Sequence, residues 1–407
     1  MDPHRTGGQG SGWIAISGRC HGLAAHARSE PRQRVGCGVF WLAAGVGSWW
    51  NNWNMKLIEK VLLGWMLTLV AAFSTVSAEQ PARLPLPPKQ EAVTPAPLYR
   101  DPVFDGAADP VLVWQPKRKA WWMFYTQRRA KLDLPGVAWC HGSAIGVAES
   151  RDGGMTWEYL GGLPLENPDH SPGSFWAPDV IRDDKGGFHL FVTYVPGEGD
   201  KHVGWDGTRF IYQYHSTDLW NWKLAQKIPT ASDRSIDPSL CRMVNGAWRM
   251  WYKDEAHGSD TGAMESRDLK EWQPVKDPGV SKLYGEGPKV FQFKGSYWLI
   301  KDPDSGLYVY RSPDLDKWTY QGKILDHPGR RNDDGTIGKH ADVVVCGNRA
   351  FIIYFTHPDT QDFPEKKGIL PYAARRSSLQ GAELDVRDGK LICDRDKPFR
   401  IQLTAPK

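Results

Sequence analysis

The feature that most narrows the fold is a repeat. ESRDGGMTW at 149–157, HSTDLWNW at 215–222, ESRDLKEW at 265–272 and RSPDLDKW at 311–318 all read Ser-x-Asp, then Gly or Leu, then Trp. RRSSLQGAEL from Arg375 is a degenerate fifth echo. Counted from Ser150, Ser216, Ser266, Ser312 and Ser377, the steps are 66, 50, 46 and 65 residues. One small sheet of about four short strands fits each step, which is blade-like spacing.

The intervening segments have strand character. WWMFYT, FHLFVTYV, WRMWYK, SYWLI and AFIIYFT are short runs of aromatic and β-branched residues bounded by Gly, Asp, Asn and Pro, and no long amphipathic helical stretch interrupts them. Each Ser-x-Asp is expected to be a hairpin turn whose side chains bond local amides, with the following Trp packed between blades as core. The expected fold is all-β: a five-bladed β-propeller of four-stranded antiparallel blades around a central axis.

Against that frame the acids fall into step. AADPVLVW carries Asp109, FWAPDVI Asp179, SIDPSL Asp237, GEGPKV Glu286 and GKHADVVV His340, each just before an expected strand and 70, 58, 49 and 54 residues apart. In a propeller the innermost strands line the axis, so residues at their starts gather in one pocket at one end. Carboxylates that gather repel one another and drive their proton affinities apart, which provides an acid and a base together. Glycosidic cleavage requires that pair.

The ordered set ADP, WAPDV, IDPS, EGP and KHADV, one per blade, resembles the five-bladed glycoside hydrolases of family 43 and their relatives, over about Tyr99 to Gln380. The resemblance implies Asp109 as general base, Asp237 as the residue that tunes and orients the acid, and Glu286 as general acid with a raised pKa. Asp101 and Asp105 are competing first-blade acids, but Asp109 directly precedes the VLVW and WWMFYT strands. The resemblance also implies a glycosidase acting on a terminal sugar or short oligosaccharide of plant or algal polysaccharide, of arabinofuranosidase, xylosidase or galactosidase type, with inversion if the two carboxyls stand about 6.5 to 9.5 Å apart. The alternatives are a non-catalytic carbohydrate-binding propeller and a retaining, fructosidase-like enzyme with Asp109 as nucleophile.

Further pocket residues are expected around these three. Trp176 would be a sugar platform and Asp179 a hydroxyl acceptor, while WAPD can equally be a structural turn. His340 matches a family histidine on the axis that is linked to an ion, so calcium or another ion is a candidate there, although Lys339 departs from the usual Gly-His pair. No cofactor is otherwise required. Arg128, Trp139 and His141 are loop candidates for substrate contact, with Arg129, Arg330 and Arg331 as weaker ones. Lys253, Asp254 and Glu255 follow WRMWY and can face either way.

The ends of the chain have a different character. Residues 55–78, MKLIEKVLLGWMLTLVAAFSTVSA, have basic residues, an apolar run and a Val-Ser-Ala ending, the form of a secretory signal cut after Ala78; the run is shorter than the roughly 20 residues of a spanning helix. An exported, periplasmic or extracellular protein without a membrane span is therefore expected. Residues 1–54, with five Arg and no Lys, are taken as an upstream extension, 79–98 as a flexible leader, 99–385 as the propeller and 386–407 as a segment closing or packing on it. The first 54 residues carry +3 of the net charge of +4, and the nearly neutral remainder gives no footprint for a nucleic-acid partner. Cys140, Cys241, Cys346 and Cys393 are too scattered for a zinc cluster, and one or two disulfides or free thiols are both compatible with them. Oligomeric state and linkage are not encoded in any visible pattern.

Overall fold

A computed structural model describes residues 92–280, 284–359 and 368–406. The expected extension, signal segment and most of the leader lie outside these residues. Five four-stranded antiparallel sheets succeed one another along the chain, at 107–162, 173–227, 235–274, 286–324 and 339–393. Each is a simple meander whose first strand lies innermost. These strands are Ala107–Gln115, Gly173–Arg182, Ser235–Arg242, Glu286–Phe293 and Lys339–Cys346. The fold is the five-bladed propeller. Among the described residues no helix is long and apolar enough to cross a membrane.

The repeat builds the outer rim of the blades. Leu219, Leu269 and Leu315 donate their amides to Ser216, Ser266 and Ser312 Oγ at 2.9, 2.8 and 2.8 Å, and turn the chain with φ of 67°, 62° and 70°. The Asp of each repeat accepts the next amides, as Asp218 does from Trp220 and Asn221. The following Trp packs on the preceding blade: Trp222 on Phe124, Trp272 on Phe191 and Trp318 on Trp251, with ring centroids 6.4, 5.5 and 6.3 Å apart. These contacts make the Trp residues inter-blade core, as expected. The fifth echo differs, because Ser378 begins the third strand of its blade, Ser378–Arg387, rather than the turn after it.

The fifth blade runs on to Cys393, past the expected boundary at 385. Both ends of the described chain are structural. Leu98 donates its amide to Leu379 O at 2.8 Å and Thr94 to Phe399 O at 2.9 Å. Leu98, Tyr99, Phe399, Ile401 and Leu403 share one core cluster with residues of the first and fifth blades, so apolar burial joins those blades. All four cysteines in the propeller are free thiols.

Candidate active site

Every innermost strand starts with the same irregularity. Two residues, 109 and 110, stand opposite one partner between the pairs Ala108–Thr126 and Val111–Phe124. The same happens at 177–178, 237–238 and 287–288, and in the fifth blade the register slips at His340. Such a bulge bends the strand and re-aims its side chains. Asp109, Ala177, Asp237 and Gly287 hold it with φ of 50°, 44°, 58° and 56°. Aspartate accepts that left-handed backbone better than most residues, whereas at 287 only glycine fits, because a Cβ there would overlap the His340 imidazole.

The bulge sorts the inner strands into three rings. Asp109, Ala177, Asp237, Gly287 and His340 sit at the bulge itself. One residue earlier come Ala108, Trp176, Ile236, Glu286 and Lys339; two later come Val111, Asp179, Ser239, Lys289 and Asp342. Asp109, Asp237 and His340 from the bulge line one cavity of about 510 Å³ together with Trp176, Ile236, Glu286 and Lys339 from the ring before it. The five sequence positions are therefore not equivalent, as their spacing implied: Glu286 reaches the pocket from one residue earlier. Asp179 belongs to the deeper ring and does not line the pocket. Its Oδ1 is 3.0 Å from Lys289 Nζ, which also lies 2.8 Å from Asp342, and its Oδ2 accepts the Leu240 amide at 2.6 Å. Held by these partners outside the pocket lining, it ties the axis and is not placed to meet a sugar hydroxyl.

Four of the five bulge amides are satisfied from the neighbouring blade. Ala177 N donates to Thr126 Oγ1 at 2.8 Å, Asp237 N to Thr193 Oγ1 at 3.0 Å, and His340 N to Asp302 Oδ2 at 3.1 Å. The corresponding third-blade residue is Lys253, which has no acceptor. There Asp237 Oδ2 takes the Gly287 amide instead, at 2.9 Å, and Lys253 Nζ bonds Glu286 Oε2 at 2.9 Å.

The charges of this cluster are driven apart. Burial acts to raise the pKa of Asp109, but the guanidinium of Arg128, 3.3 Å away, and His340 Nδ1, 3.4 Å away, overcome it and hold the carboxyl well below the usual range. Asp237 goes the other way: burial, with Glu286 and Asp109 adding to it, lifts it to about 7 against the pull of His340 and Lys253. Burial disfavours charge on His340, yet Asp109, Asp237 and Glu286 raise it to about 9. The pocket thus holds one fixed carboxylate, one acid that titrates near neutrality and one imidazolium within a single cluster.

No family model matches the sequence, and no curated protein matches it either. Solved structures do match in shape. A thermostable family-43 glycoside hydrolase aligns over 75% of this chain and 100% of its own with a TM-score of 0.53 at 19% identity. The Xanthomonas citri GH43_1 enzyme solved with xylotriose aligns over 74% and 92% with a TM-score of 0.51 at 16% identity. The propeller has the same fold as these two enzymes. The Bombyx mori family-32 β-fructofuranosidase has the same architecture, at 13% identity and a TM-score of 0.51 over 71% of this chain and 62% of its own.

The remaining candidates divide between the pocket and its support. Arg128, Trp139 and Trp176 line it, the Trp176 ring being pinned by a 2.8 Å bond from Nε1 to Cys140 O. His141 does not line it. It is fully buried behind Trp176, stacked on His202 at 4.6 Å, and burial together with nearby cations lowers its pKa to about 3. Asp101 accepts from Phe104 N, Tyr125 and Gln127, and Asp105 pairs with Arg100, so neither competes with Asp109. Arg129 is bound to Ala138 and His141 carbonyls and Asp200, Arg330 to Asp396, and Arg331 to Asp334.

His340 is not part of a metal-ligating cluster: among the described residues the one group of three His, Cys, Asp or Glu side chains close enough to share an ion is Asp183, His189 and His215. That group lies in a hollow of about 610 Å³ between the second and third blades, whose acids are held by backbone amides, His189 and Arg242.

Trp205, Arg209, Arg234, Lys253, Glu255, Tyr284, Asp304 and His357 also line the pocket. Lys253 and Glu255 were visible in the sequence only as charges after an aromatic strand. The others come from connections with no repeated pattern, and no signal marked them.

Proposed function

We propose that the protein is an exported glycoside hydrolase that removes a terminal sugar or short oligosaccharide from plant or algal polysaccharide fragments by an inverting acid and base mechanism. The observation that carries this is the convergence of Asp109, Asp237 and Glu286 on one cavity, with Asp109 held ionised by Arg128 and His340. In this mechanism Asp109 takes a proton from a water attacking the anomeric carbon while Glu286 gives one to the departing oxygen, so one proton enters and one leaves the site in each turnover. Lys253 meets Glu286 at Oε2; no donor among the described residues meets Oε1, the oxygen that can carry the proton. Asp237 orients Glu286 through the adjacent Gly287 amide.

The structural likeness to an enzyme solved with xylotriose and to a β-fructofuranosidase supports a sugar substrate. Arabinofuranosides, xylosides and galactosides are the first substrates to try. Incubation with a panel of aryl glycosides and plant and algal oligosaccharides, with the anomer of the first product followed by NMR, tests the proposal. Release of the inverted anomer from any of them agrees with it; the retained anomer assigns Asp109 as nucleophile; no release from any of them speaks against hydrolysis.

A further inference from the structure

One wall of the pocket carries more cations than the chemistry requires. Arg209 and Lys253 both bond Glu255, Lys253 at 3.3 Å, and Arg234 stands 3.6 Å from the same carboxylate. Lys253 is shared with Glu286, so three cations face two carboxylates there. Across the pocket Arg128 and His340 pair with Asp109, with Asp237 close to His340, while Lys339 is matched by Asp304. With His340 protonated, the lining keeps a net positive charge even when Asp237 is ionised.

The excess has an accessible end. Arg209 is buried and bonded to both Glu255 and the Trp205 carbonyl. Among the described residues Arg234 makes only long side-chain contacts, 3.5 Å to the Trp205 carbonyl and 3.6 Å to Glu255. Its Nε is buried without a hydrogen-bond partner, and its side chain is 39% exposed. A guanidinium has five donors in a flat fork, and most of those of Arg234 are unspent. Beside it Trp205 is 52% exposed, an unusual position for so large an apolar ring, and it continues the aromatic wall from Trp176, 6.1 Å away. An indole face and a half-free guanidinium side by side match a sugar ring that bears a negative group.

Building on the glycosidase proposal, we propose that Trp205 and Arg234, backed by Arg209, form a subsite for an anionic sugar, with its ring on the indole and its carboxylate or sulfate on the Arg234 guanidinium. Lys253 links this wall to Glu286, so the subsite adjoins the reacting bond. Neutral sugars can still occupy the pocket, but without the charge contact.

The test uses two matched pairs of probes on the full chain: trigalacturonate with its methyl ester, and sulfated with desulfated galactan tetrasaccharides, titrated calorimetrically at low and high salt. The subsite predicts that at least one anionic probe binds about tenfold or more tighter than its neutral partner at low salt, as expected for a charge-assisted hydrogen bond. Which pair shows the preference tells a carboxylate from a sulfate. Arg234→Gln should bring the two members of that pair together with the neutral affinity kept, Arg234→Lys should restore part of the difference, and Trp205→Ala should weaken both members, all with unchanged melting temperatures. Equal binding within both pairs, or a preference that survives Arg234→Gln, overturns the subsite. Hydrolysis of neutral aryl glycosides in the same preparations separates that failure from a failure of the glycosidase proposal.

Discussion

Asp237 Oδ2 accepts the amide hydrogen of Gly287 at 2.9 Å, so the third-blade acid holds the backbone that carries the fourth-blade acid Glu286. This contact exists because Lys253 stands where two other blades place a threonine hydroxyl. Asp237→Ala removes the anchor and should lower kcat by about 10²-fold or more, in the range of a lost positioning or proton-transfer partner, with a smaller change in KM. Asp237→Asn keeps an acceptor and should lose less. Steady-state kinetics of the two variants on one substrate checks this; equal losses in both would show that the charge, and not the anchor, matters.

The pH dependence of stability follows from raised groups in and around the pocket, among them Asp302, which burial lifts to about 7 and which acts in the same direction as Asp237. Asp237 has a folded pKa of about 7 against 3.8 unfolded, so between those values the native state holds the extra proton, and stability falls as pH rises through that window. His340 is raised to about 9 from 6.5; its contribution is fully present below 6.5 and is lost as pH rises through 9. The lowered pKa of Asp109 adds stability above its unfolded value that is lost on acidification. Melting temperature should therefore peak near pH 4 and decline from there towards pH 9. Asp237→Asn should be more stable than the native protein at pH 8 and similar to it at pH 4, which differential scanning calorimetry at the two pH values would show.

Lys289 bridges Asp179 and Asp342 beneath the pocket at 3.0 and 2.8 Å. Lys289→Met leaves two buried carboxylates without their shared cation, and breaking a buried pair in this way costs roughly 3 to 5 kcal/mol. Chemical denaturation should show a loss of that order. Asp179→Asn, which keeps an oxygen for the Leu240 amide, should cost less.

Gly287 has φ of 56° and lies against His340. Gly287→Ala should cost about 1 to 2 kcal/mol for the backbone alone and push the imidazole from Asp109. Activity should then fall further than stability, measured as kcat beside the melting midpoint.

Much of the fold was legible because the repeat encodes it locally. Ser216, Asp218, Leu219 and Trp222 make a turn and an inter-blade contact that need little long-range information, and the same pattern in three other blades fixed their number and order. The fifth echo misled because RRSSL resembles the turn in composition while Ser378 starts a strand. At the site, Asp109 and Asp237 could be read because the Asp-Pro pair at a strand start marks the bulge. Asp179 could not be told from them, since one bulge separates the ring that faces the pocket from the ring that faces the axis, and strict spacing does not reveal where the extra residue falls. Trp205 and Arg234 lie in connections, where tertiary placement alone decides what they face.

The proposed assignment makes Glu286 the proton donor and Asp109 the base. It is tested most directly by comparing Glu286→Gln and Asp109→Asn on two glycosides of the same sugar, one with a 2,4-dinitrophenyl leaving group that needs no protonation and one with a sugar leaving group that does. Glu286→Gln should lose about 10²- to 10⁴-fold in kcat/KM on the second and little on the first, whereas Asp109→Asn should lose heavily on both. Equal losses for Glu286→Gln on the two substrates, or no loss on either, would contradict the assignment.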